Sequence, residues 1–235
     1  MDSPSLLTRL AERPGEAAVL LDVDGTLAPI AALPGEARVP EETRAEVARL
    51  AGRYALVACI SGRPGSDAAR LVGVEGVRYV GEHGLELEPE AEAWAERLAQ
   101  FAAGIDWPTE KGKRLSLSFH YRTSPEKESY LCEVAARAER EGLRTRWGRK
   151  VLEIRPPLDA DKGTAVRRLL EEAGLRRALY AGDDTTDLDA FRALDGLDLA
   201  VRVAVVSEEA PVELAREADI VVAGPEELAQ LLRML

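Results

Sequence analysis

The sequence predicts an α/β protein, with a parallel sheet covered by helices on both faces and a smaller α+β domain inserted into it. Three observations carry this. Short, almost wholly aliphatic runs alternate with helix-period stretches, the pattern of strands buried on both faces of a parallel sheet. Each run ends in small or acidic residues, as strands do where a sheet of this kind presents a ligand site. Between positions 85 and 157 the pattern changes to alternating polarity, and roughly seventy residues is too long for a loop.

The elements follow in chain order. The first run, 17–21 (AAVLL), meets Asp22, and 41–50 has a helical period. The run 55–60 (ALVACI) ends at Ser61-Gly62-Arg63, followed by helix 64–71. Strand 77–80 ends at Gly81-Glu82-His83-Gly84. In the insert, 85–87 reads as a short strand, 90–103 as a helix and 113–121 as a strand. Helix 124–141 opens on Ser-Pro, a cap followed by a first-turn proline. Two further strands, 143–147 and 150–155, join at Gly148. The core resumes with helix 162–173, strand 178–181 ending at Gly182-Asp183-Asp184, helix 188–194, and strands 199–206 and 220–222. The expected domains are 1–84 with 158–235 as core and 85–157 as insert, joined near Gly84 and near Pro156-Pro157.

Composition narrows the partners. Among 235 residues, 42 acidic side chains outnumber 31 basic ones, for a net charge of -11. Such a surface repels polyanions, which argues against nucleic acid and anionic membrane as partners. An anionic small substrate would need local cations or a metal. Cys59 and Cys132 show no CxxC spacing and read as small buried hydrophobes in a reducing, cytoplasmic setting. The first sixteen residues lack a charged-then-apolar leader pattern, and no run approaches a membrane span.

Four clusters carry chemistry. In VLLDVDGTLAPI, Asp22 and Asp24 stand two apart, so on an extended chain both face one side. Two carboxylates there repel unless a cation neutralises them, and oxygen donors suit magnesium. An acidic turn after a strand is the plainer reading. The glycine comes too early for an EF-hand loop. Gly182-Asp183-Asp184-Thr185-Thr186-Asp187 is a second acidic cluster at a strand end. Helix capping needs one such residue, not three aspartates within five positions. Ser61-Gly62-Arg63-Pro64 offers a hydroxyl and amides to an anion, or a capped helix start. Lys162 opens a helix, where the dipole disfavours it. It reads as solvated surface unless the acidic clusters lie beside it.

Taken in order, DxDGT, serine, lysine and GDDxxxD resemble the haloacid dehalogenase-like phosphatase superfamily, which implies a Rossmann-like core with an α+β cap. Residues 22–30, the GEHG turn, Ser118-Phe119-His120-Tyr121-Arg122, Glu153-Ile154-Arg155-Pro156, Asp161-Lys162-Gly163 and GDDTTD together resemble the trehalose-6-phosphate phosphatases. The resemblance implies that Asp22 is the nucleophile, Asp24 the acid and then the base, and that Ser61 and Lys162 hold the phosphoryl oxygens. It implies magnesium held by Asp22, the Asp24 carbonyl and Asp183, with Asp184 and Asp187 as further candidates. Thr26, Gly62, Arg63 and His83 join Lys113, His120, Arg122 and Glu153 as substrate-binding residues. Arg122 and Glu153 also read as ordinary ion-pair partners on neighbouring strands.

One departure bears on the sugar. The acidic residue often found two places before the cap lysine is Lys111 here, with Glu110 adjacent. The resemblance implies a small sugar phosphate as substrate, with a trehalose-6-phosphate synthase as pathway neighbour. Phosphatases for sucrose, mannosylglycerate or glucosylglycerol phosphates share the core motifs, and an acid-base aspartate at Asp24 would serve a mutase as well. A non-catalytic sugar-phosphate sensor on the same fold would commonly lose catalytic residues, whereas this chain keeps Asp22, Asp24, Lys162 and Asp183.

Overall fold

The computed structural model describes residues 3–31, 34–148, 150–207 and 210–235. The chain forms two compact units, Met1–Gly84 with Ala160–Leu235, and Leu85–Asp159. The first contains α1 (Ser3–Ala11), β1 (Ala18–Leu21), α2 (Glu41–Ala51), β2 (Leu56–Ile60), α3 (Gly65–Val72) and β3 (Arg78–Val80). The second contains α4 (Ala95–Ala103), β4 (Leu117–His120), α5 (Glu128–Arg140), β5 (Arg144–Gly148) and β6 (Val151–Arg155). The first unit then resumes with α6 (Lys162–Ala173), β7 (Arg177–Gly182), α7 (Asp187–Ala193), β8 (Leu199–Val206), α8 (Val212–Glu217), β9 (Ile220–Ala223) and α9 (Gly224–Leu232).

The first unit is built on a six-stranded sheet in the order β3-β2-β1-β7-β8-β9, with every pairing parallel. Val19 and Leu21 of β1 pack on one face with Leu7 and Leu10 of α1, Val47 and Leu50 of α2, Val72 of α3 and Leu228 of α9. Leu20 and Tyr180 take the alternate positions, and the Tyr180 ring meets Phe191 of α7 edge-on at 6.1 Å. With apolar side chains on both faces, all four residues of β1 are buried. That is why this strand is aliphatic without alternation.

Register sets the position of the site. Leu21 stands beside Cys59 of β2 and Ala181 of β7. The residues that follow, at Asp22, Ser61 and Asp183, therefore leave the sheet along one edge. There the strand order runs outward from β1 in both directions, to β2 and β3 on one side and to β7, β8 and β9 on the other, and at such a crevice open parallel sheets bind ligands.

The second unit is an antiparallel sheet in the order β4-β6-β5 with two helices. Phe119, Leu152 and Ile154 pack with Leu98 and Phe101 of α4 and with Leu131, Val134 and Ala138 of α5. Ser118 and Glu153, paired in register, occupy the alternate positions. Three expectations fail here. Residues 85–87 are helical, not a strand, because the chain turns through positive φ at Glu82, His83 and Gly84. Strand β4 starts at Leu117 rather than 113: its partner β6 ends at Arg155, and Pro156-Pro157 cannot extend the ladder. Cys132 is exposed, since the buried stripe of α5 runs through Leu131, Val134, Ala135 and Ala138. Cys59 is buried as expected. Helices α1, α8 and α9 are additions to the expected elements. At six residues, α8 is too short to show a helical period. No helix among the described residues is long and apolar enough to cross a membrane.

All three tryptophans, Trp94, Trp107 and Trp147, belong to the second unit, so their fluorescence reports its unfolding. Phe119→Ala removes a fully buried ring and should destabilise that unit by about 3–5 kcal/mol. A denaturant midpoint that does not fall by this signal would contradict the packing described.

Candidate active site

The site grows from the ends of β1 and β7. Asp22 leaves β1 with its N–H donating to Ala181 O at 2.9 Å, which fixes the carboxylate beside β7. The chain then turns back. The Leu27 and Ala28 amides both donate to Val23 O, and Gly25 N–H donates to Ala28 O. Gly25 has a φ of 86°, and a Cβ there would lie 2.1 Å from Asp183 Oδ2. The glycine thus lets the turn approach the second acidic cluster. This loop brings in Thr26, whose hydroxyl lies 3.3 Å from Asp22 Oδ2 and 3.4 Å from Asp183 Oδ1. One hydroxyl proton serves only one of the two at a time.

Lys162 reaches the cluster because α6 begins there. Asp161 caps the helix: its carboxylate accepts from Thr164 N–H, and the Thr164 hydroxyl accepts from Asp161 N–H. The Lys162 ammonium is 2.7 Å from Asp22 Oδ1 and 2.6 Å from Asp187 Oδ1, and the residue is only 2% exposed. The expected alternative, solvated surface, is ruled out. Asp187, wholly buried, accepts four donors. Tyr180 OH and Lys162 Nζ share Oδ1, while the Asp183 and Asp184 amides share Oδ2. A Cβ on Gly182 would lie 2.2 Å from the Asp187 carboxyl carbon, so only glycine fits under this anchor.

Asp22, Asp183 and Asp187 offer carboxylate oxygens within 4.8 Å of one another. Hard oxygen donors at this density fit a divalent cation such as the family fold implies. Two further observations support the fit. Three carboxylates are buried together while the Lys162 ammonium reaches Asp22 and Asp187, and glycine at position 25 lets the turn close onto Asp183. Asp187 already accepts two protein donors on each of its oxygens. The expected ligand candidate Asp184 instead turns its Oδ1 to the Thr185 amide at 2.7 Å.

The remaining predicted residues fall into two groups. In the first unit, both oxygens of Asp24 accept from the Arg63 guanidinium at 2.6 Å. Ser61 is buried, and its Oγ accepts from Arg63 N–H at 3.2 Å. The His83 ring lies against Gly62, 2.7 Å from where a Cβ would stand. In the second unit, Lys113 Nζ donates to Ser118 Oγ at 2.7 Å and lies 3.5 Å from Glu153 and 3.6 Å from Glu110. His120 meets Glu110 at 3.2 Å. Glu110, the acidic residue beside Lys111, thus lies against both Lys113 and His120. Arg122 is exposed in the turn after β4. Tyr180 is the site residue that sequence reasoning missed. Its signal was a tyrosine in an aliphatic strand, since a buried hydroxyl needs a partner.

Electrostatics follow from burial. The Asp22 carboxyl is pushed up to about 7. Burial is the largest cause; Lys162 opposes it, while the charges of Asp187 and Asp24 add to it. The ammonium of Lys162 is shifted upward, because Asp187 and Asp22 outweigh its own desolvation. The unfolded Asp22 ionises near 3.8, so between about pH 4 and pH 7 the folded state binds the extra proton. Stability therefore falls as pH rises through that window. Asp22→Asn should melt higher than wild type at pH 8 in chelator, by about 2–4 °C for each kcal/mol relieved, with the advantage shrinking toward pH 4. A lower melting point at pH 8 would contradict this. Asp187→Ala should do the opposite, costing about 3–5 kcal/mol by removing one partner of the buried ammonium and the acceptor of Tyr180 OH and two amides.

The trehalose-phosphatase family model matches residues 20–111 and 108–220. A trehalose-phosphate phosphatase of Mycobacterium avium (strain 104) is 35% identical over 202 residues, 76% of this chain and 51% of that protein. Probable trehalose-phosphate phosphatase 3 of Oryza sativa subsp. japonica is 32% identical over 258 residues, covering 94% of this chain and 69% of the relative. This chain spans about half the length of the mycobacterial relatives it matches. In fold it is similar to the C-terminal domain of Candida albicans trehalose-6-phosphate phosphatase, with a TM-score of 0.75 at 21% identity over 98% of this chain and 96% of that one. It is also similar in fold to a haloacid dehalogenase-like hydrolase from Bacteroides thetaiotaomicron, with a TM-score of 0.62 at 16% identity over 92% of this chain and 98% of that one. By the family match and the rice relative, the chain belongs to the trehalose-phosphatase family.

Proposed function

We propose that the protein hydrolyses trehalose 6-phosphate to trehalose and phosphate, with magnesium, through an aspartyl phosphate on Asp22. The observation that carries this reading is the buried constellation of Asp22, Lys162, Thr26 and Asp183 at the ends of β1 and β7. A carboxylate is a competent covalent nucleophile, and two displacements replace direct attack by water.

In the first step an Asp22 oxygen bonds to phosphorus, the bond from phosphorus to the sugar oxygen breaks, and Asp24 gives that oxygen a proton. In the second, Asp24 takes a proton from water, the water oxygen bonds to phosphorus, and the bond to Asp22 breaks. Sugar alkoxides leave poorly, which is why a positioned acid is needed. Ser61 and Lys162 hold the phosphoryl oxygens, and Lys162 offsets charge at the nucleophile. Magnesium, when bound by Asp22, Asp183 and the Asp24 carbonyl, would neutralise charge on the phosphoryl group and the carboxylates. Asp187 acts by fixing Lys162 and the two amides.

Recognition of sugar hydroxyls is assigned to the second unit's cluster of Lys113, Glu110, His120 and Glu153. A hydroxyl-rich ligand needs fixed donors and acceptors, and sites of that kind reject analogues that leave a buried group unpaired. Glu110 supports the disaccharide assignment, because it supplies the acceptor that Lys111 lacks. The proposed setting is the cytoplasm, downstream of a trehalose-6-phosphate synthase.

Phosphate release from a panel of sugar phosphates tests the reading. Trehalose 6-phosphate should be preferred, and chelation should abolish turnover. Preference for another sugar would retain the chemistry and discard the sugar assignment; silence across the panel would discard both. Asp22→Asn should lose on the order of 10⁴-fold or more, and Asp24→Asn about 10²–10⁴-fold. An Asp22→Asn protein with full turnover would exclude the covalent route.

A further inference from the structure

We propose that Arg63 is a positioning residue that holds Asp24 for the hydrolytic half of the reaction. This rests on the phosphatase reading above. The guanidinium donates from Nε to one Asp24 oxygen and from a terminal nitrogen to the other, each at 2.6 Å. Arg63 is the more enclosed partner, with 15% of its side chain exposed against 38% for Asp24. The fork therefore imposes its orientation on the carboxylate. Both oxygens accept from the fork, which fixes the plane of the carboxylate. That is the group that takes a proton from water in the second step. Donation of a proton in the first step needs one of the two bonds to give way.

The backbone around Arg63 makes the fork a fixed one. Its own N–H donates to Ser61 Oγ at 3.2 Å. Its carbonyl accepts from Glu82 N–H, and the Ser61 carbonyl accepts from His83 N–H, each at 2.9 Å. Those two donors reach the loop because Glu82 and His83 stand at φ of 50° and 54°. Two successive non-glycine residues in the left-handed region are strained, by about 1–3 kcal/mol each. The strain turns both amides onto the Ser61–Arg63 loop. Arg63 thus ties the phosphate-side serine to the proton-transfer aspartate through one rigid backbone. A lysine presents a point charge and cannot hold two oxygens in a plane.

The probe is p-nitrophenyl phosphate with magnesium, followed by stopped flow. The nitrophenolate burst reports formation of the phosphoenzyme, and the steady state reports its hydrolysis. Arg63→Ala should retain a burst near one equivalent while the steady state falls about 10–100-fold, and Arg63→Lys should not restore it. A merely structural role, or a contact to the phosphoryl group, would slow the burst as well; that result, or an unchanged steady state, overturns the proposal. The Arg63 Nε–H resonance, identified by its loss in Arg63→Lys, should shift in Asp24→Asn. An unmoved resonance removes the ion pair and the proposal with it, whatever the kinetics. A wild type that releases no nitrophenolate overturns the phosphatase reading and this role together, whereas equal losses in an active enzyme overturn this role alone.

Discussion

A single buried ammonium organises the catalytic unit. Lys162 Nζ lies between Asp22 and Asp187 at 2.7 and 2.6 Å, where desolvation would make either carboxylate costly alone. The two acids differ in what else they hold. Asp187 is satisfied by four donors and serves as an anchor. Among the described residues, the Asp22 carboxylate accepts from Lys162 and from a hydroxyl shared with Asp183. The same lysine that stabilises the anchor therefore faces the less satisfied carboxylate, the one proposed as the nucleophile. Burial of Asp22 is a destabilising feature of the folded chain, of the kind that accumulates at active sites.

That arrangement depends on details well below the level of the fold. Gly25 and Gly182 each leave out a Cβ that would collide with an aspartate. The Asp161–Thr164 cap fixes the first residue of α6, and so the lysine. The Glu82–His83 turn pins the loop carrying Ser61 and Arg63. Each is a local backbone choice whose consequence is the placement of a charged side chain several ångströms away.

Much of this was legible in the sequence, and the failures have physical causes. Buried parallel strands write themselves as aliphatic runs, so β1, β2, β7 and β8 could be read directly. Their acidic ends marked the site, because clustered carboxylates need a reason. The second unit was harder. Alternation over 113–121 could not show that the ladder stops where Pro156 ends the partner strand, and 85–87 looks extended until the positive φ angles before it are known. Spacing alone could not separate the buried anchor Asp187 from Asp22 and Asp24, to which the other roles are proposed. Asp24 and Asp22 stand two apart, yet one pairs with Arg63 and the other with Lys162, since the chain turns at Gly25 rather than staying extended. Nor could it show that Glu110, next to Lys111, lies against Lys113 and His120, a placement that only a folded loop reveals.

The central claim is that Asp22 becomes covalently phosphorylated. The most direct measurement is mass spectrometry of the enzyme quenched in acid during turnover and digested. The account predicts one added phosphoryl group on the peptide containing Asp22, present only with substrate and absent in Asp22→Asn. Phosphate release at full rate with no adduct on that peptide, or an adduct mapping to another residue, would contradict it.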